Sequence, residues 1–312
     1  MPDSNLTLFS ETFLLSPIPR VASNPSVREW AMRRSRRSLL RRMCALSVLF
    51  FSVCAVFGQS DGGEGGLSDA EKEEFLRTAE IVERETIPMG VTHSTRATLS
   101  DGRLSHDAHI QGIDFYRRRY KARGRTFLNF RDSYRYNIAG YRLDRMLGLG
   151  MVPVSVEREI DGEPVAVTWW VDDVQMMARD RYSKKMEPPQ VFQWNDQRYQ
   201  VRVFNQLVYN TDPNLGNLLI DKDWKLWMID FTRAFRTFKQ LYDPEHLTRI
   251  DLRLYEGLRG LDAESLERTM GHYLLAAERR ALLARRDRIV AHFDALIEAQ
   301  GDIAVICRIA GH

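Results

Sequence analysis

YNTDPNLGNLLI, residues 209–220, and KLWMIDF, residues 225–231, decide the fold of this chain. The first stretch leaves a helical pattern, places Asp212 in a loop and brings Asn217 to the start of a short apolar strand. The second stretch is another short strand, which ends at Asp230. Because the chain turns between them, the two strands should pair as a hairpin. Asn217 and Asp230 would then lie close together at its open end, with Asp212 just before it.

This oxygen-rich group has a clear chemical use. Mg²⁺ is a hard cation that takes oxygen ligands, usually a few from the protein and the rest from phosphate and water. A free carboxylate nearby can accept or orient a hydroxyl proton during phosphoryl transfer. An Asp before Pro is equally typical of a turn. The combination of Asp212, Asn217 and Asp230 at this spacing nevertheless favours a nucleotide and metal site.

The pattern Asp-x-x-x-x-Asn, a hairpin and then Ile-Asp-Phe resembles the atypical protein-kinase-like superfamily. The similar branches are the HipA-type serine kinases, the phosphatidylinositol 3-/4-kinases and the secretory-pathway kinases. Asn214 stands where these have His, and Thr232 replaces Gly of the lipid-kinase segment. The resemblance implies that Asp212 is the catalytic base or hydroxyl-orienting group. It also implies that Asn217 and Asp230 hold Mg²⁺, or Mn²⁺, together with ATP.

The upstream half carries a weaker resemblance to the same superfamily. Residues 99–111 are similar to the second and third strands of a kinase N-lobe, and 137–153 to the next helix and strand. The family has a phosphate-binding Lys at the end of the third strand and a Glu early in the helix. The nearest positions hold Gln111 and Asn137, which we interpret as cofactor-binding residues. Neither is charged, so a cation from 117–121 would have to neutralise the phosphates.

The order of elements predicts an α+β protein with a two-lobed, protein-kinase-like fold. Asp-Gly pairs at 101–102 and 161–162 predict two β-hairpins in a small β-rich N-lobe. The pattern over 243–300 is mainly helical. We therefore predict an N-lobe over 68–177 and a mainly helical C-lobe over 178–312.

Several local expectations can be checked directly against a structure. We expect a first helix from Ser68 to about residue 85, a basic irregular segment over 114–125, a helix over 132–148 and a polar connector over 172–189. His106 and His109 would be ordinary strand residues that point to opposite faces. The pair Trp169-Trp170 would pack the N-lobe, and one of the two could touch an adenine ring.

Residues 1–58 predict an export leader, because an Arg cluster precedes an apolar run at 44–57. A Gly-rich linker follows over 59–67. Cleavage or retention as an anchor, twin-arginine export, and a start at an internal Met all stay open. The prediction is an exported protein, periplasmic or secreted, that touches a membrane only through an uncleaved leader.

Charge and cysteine content narrow the class of partner. The formal net charge is +3. Residues 1–58 hold eight Arg and three acidic residues, a net +5, which leaves −2 for 59–312. The basic balance thus belongs to the leader and gives no reason to expect a nucleic-acid partner. Cys307 is the single cysteine beyond the leader, so an intrachain disulfide cannot hold the domain.

Taken together, these patterns predict an exported atypical kinase that transfers the γ-phosphoryl group of ATP to a hydroxyl. The acceptor, a protein or a small molecule, and the oligomeric state stay open. The alternative is a catalytically impaired, pseudokinase-type scaffold that binds a nucleotide or a partner, which the missing Lys and Glu favour. The sequence does not separate phosphorylation from AMP transfer.

Overall fold

The structure is a computed structural model that describes residues 66–87, 94–122 and 125–307. The predicted leader and most of the predicted linker lie outside these ranges. Among the described helices, none has both the length and the apolar character needed to cross a membrane.

The first half of the chain contains seven described strands and two described helices. The elements are α1 (Asp69–Thr78), β1 (Glu80–Thr86), β2 (Thr95–Ser100), β3 (Ser105–Gln111), β4 (Asp114–Ala122), β5 (Arg125–Ser133), α2 (Arg135–Met146), β6 (Ser155–Ile160) and β7 (Glu163–Trp169).

Helices dominate the second half. Its elements are β8 (Val174–Met177), α3 (Ala178–Lys184), α4 (Val191–Val208), β9 (Leu218–Asp221), β10 (Leu226–Met228), β11 (Ile250–Asp251), α5 (Leu252–Gly260), α6 (Ala263–Met270), α7 (Ala276–Gln300), α8 (Asp302–Val305) and β12 (Ile306–Cys307). The β-rich first half and helical second half confirm the predicted α+β class.

A five-stranded antiparallel sheet, in the order β1-β2-β3-β7-β6, forms the frame of the first half. Gly102 and Gly162 adopt the left-handed conformation in its hairpin turns, with φ of 83° and 81°, as the Asp-Gly pairs predict. One face buries Leu99 and packs with the α1 side chain Phe75. On the other face, Ala166 packs against Ile138 of α2.

The start of the sheet corrects the predicted length of the first helix. Ser68 caps α1 as expected, since its hydroxyl accepts from the Glu71 amide and the Glu71 carboxylate accepts from the Ser68 amide. The helix ends at Thr78, however, and the next residues form β1. Pairing of β1 with β2 supplies backbone hydrogen bonds that outweigh the helix propensity of its Glu residues.

The described part of the segment predicted to be irregular forms strands: Asp114–Ala122 and the stretch from Arg125 belong to a separate two-stranded antiparallel sheet, β4–β5. Its aromatic side chains pack on each other: the Tyr120 and Phe130 rings stack with centroids 4.5 Å apart. The hairpin extends to Ser133, so the following helix begins at Arg135 rather than at 132.

The predicted polar connector contains regular structure as well. β8 pairs with β9, and β9 with β10, in a three-stranded sheet that carries the segment before and after the predicted site. Beneath it, α4 is largely buried. The fully buried Arg285 of α7 donates to the carbonyls of Leu207, Arg236 and Phe238, which ties the long C-terminal helix to the chain around the site.

Candidate active site

The loop that carries Asp212 begins where α4 ends. Tyr209 ends the helix in the left-handed conformation, with φ of 48°. The next residue, Asn210, accepts a hydrogen bond from the Asp212 amide through its side-chain oxygen, at 3.0 Å. The Asn214 Nδ2 donates to Asp212 Oδ1 at 3.1 Å. Asn214, which stands where the similar kinases have His, therefore orients the Asp212 carboxylate.

Asn217 joins this loop to the strand that leads to Asp230. Its Nδ2 donates to the Asp212 carbonyl at 3.2 Å, and its own carbonyl accepts from the Ile229 amide at 3.0 Å. No described residue donates to the Asn217 Oδ1, which leaves that oxygen available. The structure thus brings Asp212, Asn217 and the strand end before Asp230 together, as the spacing predicted.

Asp230 occupies a special backbone position two residues after the end of β10. Its φ is 59°, in the left-handed region, which turns the chain sharply. Thr232 Oγ1 donates to Asp230 Oδ1 at 2.9 Å. The side chain stays open to solvent on one side, while protein surrounds the rest. This desolvation, followed by the negative charges of Asp212 and Asp132, raises the pKa of Asp230 above its usual range.

Arg233 is a site residue that the sequence did not predict. Its Nε donates to Asp132 Oδ2 at 2.8 Å, and its Nη1 donates to Asp212 Oδ2 at 3.3 Å. Asp132 is buried, whereas Arg233 and Asp212 are about one-third exposed or more, at 34% and 40%. The guanidinium therefore supplies a positive charge among three carboxylates, counting Asp230. The sequence signal that could have indicated Arg233 is its position three residues after Asp230.

The predicted cofactor-binding residues are engaged with the chain's own backbone. Asn137 is buried in α2, and its Oδ1 accepts from the Phe231 amide at 2.8 Å. Gln111 is buried at the end of β3, and its Oε1 accepts from the Ile113 amide at 3.1 Å. Asn137 nevertheless contacts the segment that holds Asp230.

The donor set suits a hard divalent cation. Asn217 offers its unpartnered amide oxygen, and Asp230 offers a carboxylate that is accessible from solvent. Mg²⁺ and Mn²⁺ take oxygen ligands of these kinds and complete their shells with phosphate oxygens and water. No described Cys or His takes part in a hydrogen bond at this site.

A polar cavity of about 480 Å³ opens between the β2–β3 hairpin and the connector at 170–174. In its wall, Arg96 Nε and Thr98 Oγ1 both donate to the Asp107 carboxylate, at 2.8 and 2.7 Å. The Arg96 guanidinium also lies 4.6 Å from the centre of the Trp170 ring. Polar groups at this wall would recognise a ligand by hydrogen bonding rather than by apolar contact alone.

The two predicted histidines behave as expected for strand residues. His106 stacks on the Trp169 ring with centroids 3.7 Å apart and contacts Asp172 Oδ1 through Nε2, at 2.8 Å. His109 lies on the opposite face of β3, and burial lowers its pKa to about 4. Trp169 is buried in the core, so Trp170 is the tryptophan that lines the cavity.

Solved structures of two kinase-related proteins have a fold similar to that of this chain. The structure of hydra Fam20 with sugar has a TM-score of 0.56 and 14% identity, and the match covers 77% of this chain and 92% of that chain. The Golgi casein kinase with Mn/ADP bound has a TM-score of 0.56 and 13% identity, with 76% and 78% covered. No protein-family model matches, and neither does any curated protein. The chain shares the protein-kinase-like fold of these two structures.

Proposed function

We propose that this protein is an ATP-dependent phosphotransferase that phosphorylates a hydroxyl group. One observation carries the proposal: Asp212, Asn217 and the segment holding Asp230 meet in one place, where Arg233 adds a positive charge. Phosphoryl transfer needs little covalent chemistry from the protein, and positioning with charge neutralisation provides most of the catalysis. The described residues offer both.

In the proposed reaction, the acceptor oxygen attacks the γ-phosphorus of ATP. A new P–O bond forms to the acceptor, the bond to the β,γ-bridging oxygen breaks, and ADP leaves. Asp212 Oδ2 orients the acceptor hydroxyl and takes its proton. The hydrogen bond from Asn214 to Asp212 Oδ1 keeps the carboxylate in the orientation needed for this role.

Asn217 Oδ1 and Asp230 would hold the divalent cation against the phosphates. The cation supplies neutralisation of the charge that moves onto the β-phosphate. The likeness in fold to a casein kinase that carries Mn/ADP supports the same pairing of metal and nucleotide here. Arg233 is the candidate for the cation that the family's absent Lys would provide, because it already lies beside Asp212.

The base of the nucleotide would occupy the cavity at 170–174. Its wall presents hydrogen-bonding groups from Thr98 and Asp107 and the Trp170 ring. We also propose that the protein acts outside the cytoplasm, on the basis of the Arg-rich, apolar leader. Its likeness in fold to a Golgi kinase supports that location.

A catalytically impaired scaffold is the second candidate, and one observation favours it. The side chains at the positions of the family's Lys and Glu, Gln111 and Asn137, already bind backbone amides. A site built this way would bind a nucleotide or a partner without rapid transfer. AMP transfer would use the same residues with the nucleotide reversed.

Thermal denaturation of the purified protein with ATP, with and without Mg²⁺ or Mn²⁺, tests the site. Saturation at about 100 times the dissociation constant adds about 2.7 kcal/mol of stability, which is a shift of a few degrees. We expect a metal-dependent shift that Asp230→Asn abolishes. A shift that needs no divalent ion would refute the role given to Asn217 and Asp230.

Labelled nucleotides then separate the candidate reactions. Transfer of ³²P from γ-labelled but not α-labelled ATP to an acceptor, or to the protein itself, supports phosphorylation. Transfer from α-labelled ATP identifies AMP transfer. Metal-dependent binding without either transfer identifies the scaffold.

A further inference from the structure

The β4–β5 hairpin concentrates positive charge on a body that is otherwise acidic. Residues 114–133 contain six Arg and one Lys against two Asp, a net charge of +5. The rest of 59–312 therefore carries −7, because 59–312 as a whole carries −2. Such asymmetry creates a local field that attracts anionic partners.

The outer cations of the hairpin have no partner among the residues that the structure describes. Arg118, Arg119 and Lys121 are exposed, and none of them forms a hydrogen bond or an ion pair with another described residue. Many other arginines are paired, for example Arg84 with Asp161 at 2.7 Å. Three unpaired cations thus lie within four residues of one strand.

The base of the hairpin is fixed to the candidate active site. The Ser133 amide donates to the Thr232 carbonyl at 2.8 Å, and the Asp132 carboxylate accepts from Arg233. Farther out, the Arg236 Nη2 donates to the Leu128 carbonyl at 3.3 Å. Strand β5 therefore rests on the segment that directly follows Asp230.

Aromatic contacts make the hairpin a defined arm rather than a loose loop. An isolated two-stranded hairpin is only marginally stable in water. Here the Phe115 and Phe130 rings lie 6.1 Å apart, and Tyr120 stacks on Phe130. The arm can therefore hold its cations at fixed distances from the site.

We infer that the β4–β5 hairpin is the docking arm for the acceptor, and that the acceptor is an acidic polypeptide; this inference rests on the proposed function. Phe115 pairs with Asp132, which binds Arg233 of the candidate site. Arg119 lies four residues beyond Phe115 along β4, or about 13 Å at the rise of a strand. An extended peptide covers that distance in about four residues. Acidic residues about four positions from the phosphorylated hydroxyl would then reach Arg118 and Arg119.

The free edge of β4 strengthens the match to a peptide. Among the described strands, β4 pairs with β5 alone, so its other edge forms no ladder with a described strand. An extended peptide can add to such an edge through main-chain hydrogen bonds while its side chains meet the flanking residues. Charge complementarity selects acidic side chains for this position.

Fluorescence anisotropy tests the arm on the full chain, without nucleotide. The probe is a labelled peptide with one Ser followed by eight Glu, and its counterpart has Gln in place of every Glu. We expect the Glu peptide to bind and the Gln peptide to bind much more weakly. Replacing Arg118→Gln and Arg119→Gln together should weaken binding of the Glu peptide about fivefold, since exposed ion pairs contribute modestly.

The matched control is Arg280→Gln with Arg288→Gln, which removes the same charge from exposed positions of α7. It should leave the affinity unchanged within about 1.5-fold. Equal losses in both double variants, or no binding of the Glu peptide, would overturn the inference. Preferential binding of anionic phosphatidylserine vesicles or single-stranded RNA, lost in the hairpin variant, would also overturn it in favour of another polyanion.

The thermal shift with metal and ATP separates this inference from the proposed function. A metal-dependent shift with no binding of the Glu peptide overturns the docking arm alone. Binding of the Glu peptide that depends on Arg118 and Arg119, without any nucleotide shift, supports the arm and removes the phosphotransferase.

Discussion

Arg233 donates from its Nη1 to the Oδ2 of Asp212 across 3.3 Å, and this contact fixes the proposed catalytic carboxylate. The same guanidinium binds Asp132, which is only 4% exposed at its side chain. Arg233 therefore acts on two carboxylates with different roles. Asp212 lies in the loop after α4 with a side chain that is 40% exposed, and Asp132 belongs to the base of the β4–β5 hairpin.

We predict that Arg233→Gln lowers kcat for phosphoryl transfer by about 10- to 100-fold, because displacement of a catalytic group by about 1 Å can cost that much. Removing Arg233 also takes away a partner of the buried Asp132 carboxylate, which should cost about 1–3 kcal/mol because Arg233 itself is partly exposed. Kinetics and chemical denaturation measure the two effects.

The double variant Arg233→Gln with Asp132→Asn separates stability from catalysis. It removes both charges of the buried pair, so we expect most of the stability to return while kcat stays low. Recovery of kcat together with stability would mean that Arg233 contributes only to folding.

Asn137 is expected to be a positioning residue for the metal-binding segment. Asn137→Ala removes the acceptor of the buried Phe231 amide, which should cost about 1–3 kcal/mol of unfolding free energy. Asn137→Asp keeps an acceptor oxygen and should retain more metal-dependent ATP binding than Asn137→Ala. If both variants keep wild-type ATP affinity, Asn137 neither binds the cofactor nor positions Asp230.

Gly140 lies on α2 against the residue that follows Asp230. A Cβ atom at this position would come within 3.0 Å of the Phe231 ring. We predict that Gly140→Ala displaces the ring, lowers stability by about 1–3 kcal/mol and weakens metal-dependent ATP binding. Thermal denaturation with and without Mn²⁺ and ATP measures both changes.

Gly260→Ala is the matched control for that substitution. No atom lies within 4 Å of a Cβ at Gly260, near the end of α5, so an alanine fits there. It should be neutral or slightly stabilising, because Ala restricts the unfolded chain more than Gly does. Wild-type ATP binding in Gly140→Ala would show that α2 does not control the position of Asp230.

The Asp230 carboxylate should oppose folding in the absence of metal. Desolvation and the neighbouring charges raise the pKa of Asp230, so its ionised form is disfavoured. We predict that Asp230→Asn raises stability by about 0.5 kcal/mol, a value kept small because the side chain is partly open to solvent. The same change should abolish metal-dependent ATP binding.

The pH dependence of metal binding follows from the same raised pKa. A raised pKa means that Asp230 takes up a proton at a higher pH than an ordinary Asp, so metal affinity should fall early as the pH is lowered. Calorimetric titration with Mn²⁺ and ATP across a pH series measures this. For the stability prediction above, a metal-free Asp230→Asn protein that is less stable than the wild type would show that the Asp230 carboxylate does not oppose folding.

The site could be predicted from the sequence where it is local, and not where it depends on distant contacts. Asp212, Asn217 and Asp230 lie on one loop and one short hairpin, so their spacing alone brings them together. The contact of Arg233 with Asp132 joins residues 101 positions apart. Only the docking of the β4–β5 hairpin creates it, and no local pattern encodes that docking.

The hairpin itself was missed for a physical reason. Consecutive arginines at 117–119 interrupt the alternation of apolar and polar residues that marks a strand. The aromatic side chains that stabilise the pair come from both strands, as with Tyr120 on Phe130. Likewise, β1 is rich in Glu and is a strand only because β2 pairs with it, since strand formation depends on such context.

His109 should make stability depend on pH. Burial lowers its pKa in the folded protein to about 4, below the unfolded value of about 6.5. The unfolded chain therefore takes up the proton first, so this contribution is complete above about pH 6.5 and is lost as the pH falls toward 4. Asp144 acts in the opposite direction, because burial raises its pKa to about 6 and its protonation favours the folded state.

A difference measurement isolates the histidine from Asp144. We predict that the free energy of unfolding falls between pH 6.5 and pH 4 by about 1–3 kcal/mol more in the wild type than in His109→Gln. Urea denaturation at several pH values measures it, with His272→Gln as control, because the side chain of His272 is 69% exposed. The free energies of unfolding of the wild type and His109→Gln could instead differ by the same amount at every pH. That result would mean that His109 contributes through packing, because a contribution from its protonation must change with pH.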